Sequence, residues 1–103
     1  MKMHYHPAVL AFLHKLDEEE ASDVYRLIEV LRQRGHTISM PLSKPIGNGL
    51  YELRVHGRPA FRVLYGFCSV EVVLLVAMKK QKPNLDPRDI KIALERPHLY
   101  CDI

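Results

Sequence analysis

The order of periodicities along this chain predicts an α+β domain. Apolar residues recur at helical spacing through two successive stretches near the N-terminus. Three closely spaced segments then alternate apolar and polar residues as strands do, and a last stretch returns to helical spacing. A length of 103 residues with 48% hydrophobic content suits one ordinary core, so a single domain over 1–103 is expected, with two N-terminal helices packed on a small antiparallel sheet and a C-terminal helix.

The first helix is read over Pro7 to Leu16, where Val9, Leu10, Leu13 and Leu16 form the apolar stripe and Pro7 suits a first helical turn. Asp17 caps the second. Its acidic opening, Glu18 to Glu20, complements the positive end of the helix dipole, and Val24, Leu27, Ile28 and Leu31 face inward until Gly35 ends it. That structural role accounts for the acidic run without a metal. From Gly35 to Gly49 the prolines and glycines predict an irregular crossing that carries Lys44.

Three strands follow, over Leu50–His56, Ala60–Phe67 and Val70–Met78, joined by Gly57-Arg58-Pro59 and by Cys68-Ser69. Connections this short imply an antiparallel meander. Tyr51, Leu53 and Val55, then Phe61, Val63, Tyr65 and Phe67, form one apolar face for the helices, while Glu52, Arg54, His56 and Arg62 point away from it. A three-residue loop pairs His56 with Ala60 and sets Arg54 directly across from Arg62. The two-residue turn then puts Val72, Leu74, Val76 and Met78 on the core face and Lys79 beside the arginines. The last helix opens at Asp86-Pro87, carries Ile90, Ala93 and Leu94, and stops before Pro97.

The longest apolar run, Val72 to Met78, is too short to cross a bilayer, and no secretory h-region opens the chain, so a cytoplasmic protein without a membrane partner is expected. Cys68 and Cys101 have no companions and no CxxC spacing, which favours reduced thiols. Net charge is +3, with a pI near 9.0. Asp17 to Glu20 hold four of the twelve acidic residues, so the second half is the basic one: Arg54, Arg58, Arg62, Lys79, Lys80, Lys82 and Arg88 stand against Glu71 and Asp86 over that stretch. Like charges opposed on a sheet repel, and three cations from three strands on one face call for an anion; phosphate is the natural one, with salt bridges to Glu52 and Glu71 as the plain alternative. The histidines at 4, 6, 14, 36 and 98 are scattered, "HYH" at 4–6 is too isolated to be a metal site, and no phosphate-binding loop or dinucleotide fingerprint is present; no metal and no cofactor are expected.

The stretch "PLSKPIGNGLYELR", the "RVLY" after it, the apolar strand ending in "KK" and the helix with "IxxAxxR" together resemble the HigB-like, phage-derived (Gp49-like) branch of the RelE/ParE toxin superfamily, over residues 8 to 97. "GLYELR" and the paired lysines are the specific parts. The resemblance implies a RelE-like fold, the toxin of a type II toxin-antitoxin system, ribosome-dependent cleavage of mRNA that blocks translation, and restraint by a cognate antitoxin, often of helix-turn-helix type. Carried over by position, Arg54 closes "YELR", Arg62 opens "RVLY", Lys79 and Lys80 are the lysine pair, and Lys44 precedes the glycine turn. Two departures stand out: Met78 where an aromatic residue commonly precedes the lysines, and "QKPNLDPRD" in place of the usual connector.

RNA cleavage by its own 2′-hydroxyl needs that hydroxyl deprotonated, the charge of the pentacovalent phosphate stabilised and the leaving 5′-oxygen protonated; no metal is required. Arg54 and Arg62 suit charge stabilisation because a guanidinium grips two phosphate oxygens. Glu52 is the carboxylate candidate for the base, unless it only orients Arg54. His56 can act as acid or base near neutral pH, and Lys79 serves as a clamp first and a proton-transfer group second. Lys44, Arg58, Lys80 and Lys82 are the expected RNA-binding residues. The competing class is a ParE-like toxin or interaction module that binds DNA gyrase or another protein and cuts nothing; a cationic cluster at a scissile phosphate separates the two. The chain has no helix-turn-helix of its own, so DNA is expected to be reached only through the antitoxin.

Overall fold

The computed structural model describes residues 1–96; Pro97, His98 and Cys101, which figured in the expectations above, lie outside the described residues. The elements run β1 (Lys2–Tyr5), α1 (Pro7–His14), α2 (Glu18–Arg34), a 3₁₀ turn over Gly35–Thr37, β2 (Ser43–Gly47), β3 (Leu50–Val55), β4 (Phe61–Cys68), β5 (Glu71–Lys79) and α3 (Pro87–Glu95). The fold is α+β, as the periodicity predicts, with a five-stranded mixed sheet ordered β1-β5-β4-β3-β2.

Local chemistry fixes the helices. Pro7 stands in the first turn of α1, whose cap is the His6 ring, accepting the Ala8 amide at 3.0 Å. Asp17 and Glu20 form a capping box on α2, in which the Asp17 carboxylate accepts the Glu20 amide at 2.8 Å and the Glu20 carboxylate accepts the Asp17 amide at 3.2 Å. Gly35, with φ of 54°, ends that helix in the left-handed region.

The sheet is larger than the three-strand meander expected. β1 runs parallel to β5 from Lys2↔Glu71 to Tyr5↔Leu74, and the His4 ring meets the Glu71 carboxylate at 2.8 Å. The supposed irregular crossing contains β2, which forms a hairpin with β3 through Asn48-Gly49, both in the left-handed region at φ 55° and 78°. Cys68 is disulfide-bonded, which corrects the expectation that it is a reduced thiol; spacing along a chain does not report the spatial approach that decides pairing.

Both faces of the sheet are covered. Val9, Leu13, Val24, Ile28 and Leu31 of α1 and α2 bury against Leu53, Val55, Phe61, Val63, Tyr65, Val72 and Leu74. On the opposite face Leu50, Leu64, Val73, Leu75 and Val76 pack around Ala93 of α3, with Ile90 and Leu85 alongside. The arginine face is therefore no open surface. α3 and the connector before it lie over part of it.

Candidate functional site

The register of β3 and β4 follows the three-residue loop: Val55 pairs with Phe61 and Arg54 with Arg62. Two guanidiniums thus start from directly opposed backbone positions, and Glu52 reconciles them. Its Oε1 accepts from Arg54 Nε at 2.7 Å and its Oε2 meets Arg62 Nε at 3.0 Å. One carboxylate bridges both cations. Burial makes this more than an ordinary surface pair, since Glu52 is 2% and Arg62 5% exposed. Arg62 also donates from Nη2 to the Pro83 carbonyl at 2.5 Å, which ties the connector between β5 and α3 to the sheet. Glu71, the other acid that sequence reasoning offered to the arginines, faces His4 instead.

The lysine pair falls differently from expectation. The turn between β4 and β5 is Ser69-Val70 rather than Cys68-Ser69, with Cys68 across from Glu71. The turn moves by one residue and the cross-strand partner of Phe67 by two, from Val70 to Val72, which preserves the faces, so Val72 and Leu74 still point toward α1 and α2. A β-bulge then breaks the alternation: Tyr65 pairs with Leu74 but Leu64 with Val76, which leaves Leu75 as the extra residue. Its carbonyl accepts from Arg96 Nη1 at 2.6 Å. Beyond the bulge Ala77 and Lys79 lie on the α1 and α2 side, Lys79 across from Phe61, while Val76 and Met78 join the α3 side. By register, then, Lys79 does not share the face of Arg54 and Arg62 as expected, although it lines one cavity with Arg62. Lys80 follows Met78 in parity, and its amide donates to the Ala60 carbonyl at 2.9 Å.

A cavity of about 90 Å³ results, lined by Arg54, His56, Arg62 and Lys80 with Val55, Ala60 and Phe61. No carboxylate is among its lining residues. Arg54 is the accessible guanidinium, with 31% of its side chain exposed; Glu52 grips it at Nε, and Nη1 touches the Met40 sulfur at 3.9 Å. His56 is exposed and sits 3.4 Å from the Pro41 carbonyl through Nε2. Such a lining offers an oxyanion two kinds of positive donor, with an imidazole beside them. Lys44, exposed and across from Glu52 in the β2–β3 register, extends the basic strip along the same face. Arg58 is exposed in the hairpin loop, apart from the cavity's lining. Lys79 and Lys82 line a second, larger cavity of about 440 Å³ on the other side of Arg62.

A family model described as phage-derived protein Gp49-like (DUF891) matches residues 11–98, most of the chain. The chain belongs to the Gp49-like family. That family falls in the RelE/HigB-like toxin group and is associated with the toxins of toxin-antitoxin systems, which work with an antitoxin partner. No curated protein matches the chain.

Among the described residues no helix is long and apolar enough to cross a membrane. Sequence reasoning missed the anchoring of Arg62 by Pro83 and the cover that α3 provides. The unbroken apolar run of β5, Val72 to Met78, was the available signal, because a strand buried on both faces loses its alternation.

Proposed function

We propose that this chain is the toxin of a type II toxin-antitoxin pair and acts in the cytoplasm as a ribosome-dependent, metal-independent mRNA endoribonuclease that blocks translation. The observation that carries this reading is the acid-free cavity in which Arg54, His56 and Lys80 converge on a space backed by Arg62. A protein-binding module has no need of such a cluster. A phosphate undergoing attack by the neighbouring 2′-hydroxyl does, because negative charge builds on its oxygens in the transition state.

On this reading the residues take separate roles. Arg54 and Lys80 hold the phosphate oxygens and stabilise the growing charge. His56 takes the proton from the 2′-hydroxyl or returns one to the leaving 5′-oxygen. Glu52 cannot serve as base, because both its oxygens are occupied by guanidiniums and it is 2% exposed; it positions Arg54. Arg62 backs the cavity and contributes its charge from behind. Lys44 lies where it can guide the RNA chain onto this face, and a bulky antitoxin excludes the toxin from a crowded ribosomal site without having to cover the cations.

The test is inducible expression followed by primer extension on a reporter mRNA, with Arg54→Ala in parallel. Discrete, translation-dependent cuts in the wild type that fall by about a hundredfold to a thousandfold in the variant support the reading, since that is the scale for removing one charge-stabilising donor. Growth arrest with intact mRNA and DNA-damage signalling defeats it.

A further inference from the structure

Lys79 and Lys80, adjacent in sequence, take opposite faces as neighbours on an extended strand do, and the bulge at Leu75 decides which of them goes to which cavity. Lys80 borders the small one with Arg54. Lys79 borders the large one, and the buried Arg62 lines both, so the two spaces have one residue of wall in common. Only the larger, at about 440 Å³, falls in the size range of about 300 to 1,000 Å³ that small ligands occupy. We propose that it is a nucleoside subsite for single-stranded RNA, taking the base next to the phosphate held at Arg54 and Lys80. This inference rests on the reading of the chain as an RNA-cleaving toxin.

The chemistry of the walls supports a base over a simple anion. Phe12, Ala77, Met78 and Leu85 offer apolar surface to a ring. Gln81 and Asn84 each carry a donor and an acceptor on one planar amide, the pattern that reads the edge of a base, and Asp89 adds an acceptor for an exocyclic amino group. Lys79 and Lys82 supply the positive charge that an RNA backbone requires. The remaining carboxylate, Asp86, is already engaged, accepting from Arg88 Nη2 at 2.8 Å, so it offsets Arg88 rather than repelling a phosphate.

The wall is also held in place, as a reading site must be. The connector that bears Gln81, Lys82 and Asn84 is pinned where Arg62 donates to the Pro83 carbonyl at 2.5 Å, and its far end is fixed by Asp86, which caps α3 by accepting the Arg88 amide at 2.9 Å. Between them Leu85 packs into the core under α3.

Two measurements on the full chain test the proposal. Trinucleotides bearing 2′-O-methyl groups, which cannot be cut by 2′-hydroxyl attack, are titrated into labelled protein while amide shifts are followed, and cleavage sites on a reporter mRNA are mapped for the wild type and for Gln81→Ala with Asn84→Ala. Expected are shifts at Gln81, Lys82 and Asn84 together with those at Arg54 and Lys80, a loss of affinity of about tenfold or more in the variant, and a change in which base flanks the cuts. Shifts confined to Arg54, His56 and Lys80, with an unchanged cleavage pattern in the variant, overturn the subsite. Shifts in the large cavity with an acidic peptide but with no trinucleotide overturn it in favour of a protein partner. A wild type that binds trinucleotides in the large cavity yet cuts no mRNA leaves the subsite standing and removes the nuclease reading.

Discussion

Replacing Glu52 by glutamine tests the clamp that organises the site. The substitution preserves volume but turns one carboxylate oxygen into an NH₂ group, so a donor faces the Nε–H of Arg54 or of Arg62 where an acceptor stood at 2.7 or 3.0 Å. The guanidiniums of the opposed pair Arg54↔Arg62 then lose their shared counter-charge. Arg54 is partly exposed, so solvent screens its loss and its pair accounts for about 1 kcal/mol at most. Arg62 is 5% exposed, and stripping one partner from a buried ion pair costs about 3 to 5 kcal/mol. Against a total stability of about 5 to 15 kcal/mol that is a large fraction. With each kcal/mol moving the midpoint by about 4 to 8 °C in a domain of this size, Glu52→Gln should melt at least about 12 °C below the wild type. Thermal and urea unfolding followed by circular dichroism read the change, and Arg62→Met supplies the control. Once the buried charge is gone, the Glu52 substitution should cost at least about 1 kcal/mol less than it does alone. A Glu52→Gln protein that melts within about 4 °C of the wild type, or equal costs in both backgrounds, refutes the argument that burial gives this clamp its weight.

Lys80→Ala should reduce mRNA cutting more than Lys79→Ala does, because Lys80 borders the cavity that holds Arg54 and His56; equal losses by primer extension count against the bulge as the feature that sorts the two lysines. Asp17→Ala removes half of the capping box and should cost about 1 kcal/mol, visible as a shift of about 4 to 8 °C in melting temperature. Acid should loosen α3: hydrogen bonds and charge from Arg88 lower the Asp86 pKa from 3.8 to about 2, so the unfolded chain takes up that proton first, and the stability Asp86 contributes is full above about pH 4 and lost between about 4 and 2. Urea midpoints across that window should fall more steeply for the wild type than for Asp86→Asn; parallel curves defeat the assignment.

How far the sequence is legible differs from one element to the next, for physical reasons. α2 is fully marked by a capping residue, an acidic first turn, an apolar stripe and a terminating glycine, all local signals. The opposition of Arg54 and Arg62 is equally readable, because a short loop and a period of two leave register little freedom. β1 carries no such mark, being only Lys2–Tyr5 and finding its partner at the other end of the chain. β2 was announced by Asn48-Gly49, the strongest short hairpin signal there is, but the prolines around it masked the strand.

The bulge at Leu75 lies beyond sequence reasoning, and the site turns on it. Along "VVLLVAMKK" every residue before the lysines is apolar, so no alternation exists to be broken and no residue signals the slip. The reason is α3, which covers the second face of β5 and removes the polar positions that would have revealed parity. That same helix and its connector turn Arg62 from an exposed cation into a buried one, since Pro83 can accept from its guanidinium only when the connector crosses the sheet. Buried Arg62 must then be neutralised from within, which fixes Glu52, and Glu52 with its second oxygen fixes Arg54. The accessible cation at the mouth of the cavity is therefore held in place by packing on the far side of its neighbour. A substitution at Leu85 or Ile90 that loosens the connector should accordingly weaken cutting without touching a charged residue, and its effect should appear in the turnover rate rather than in the fold as a whole.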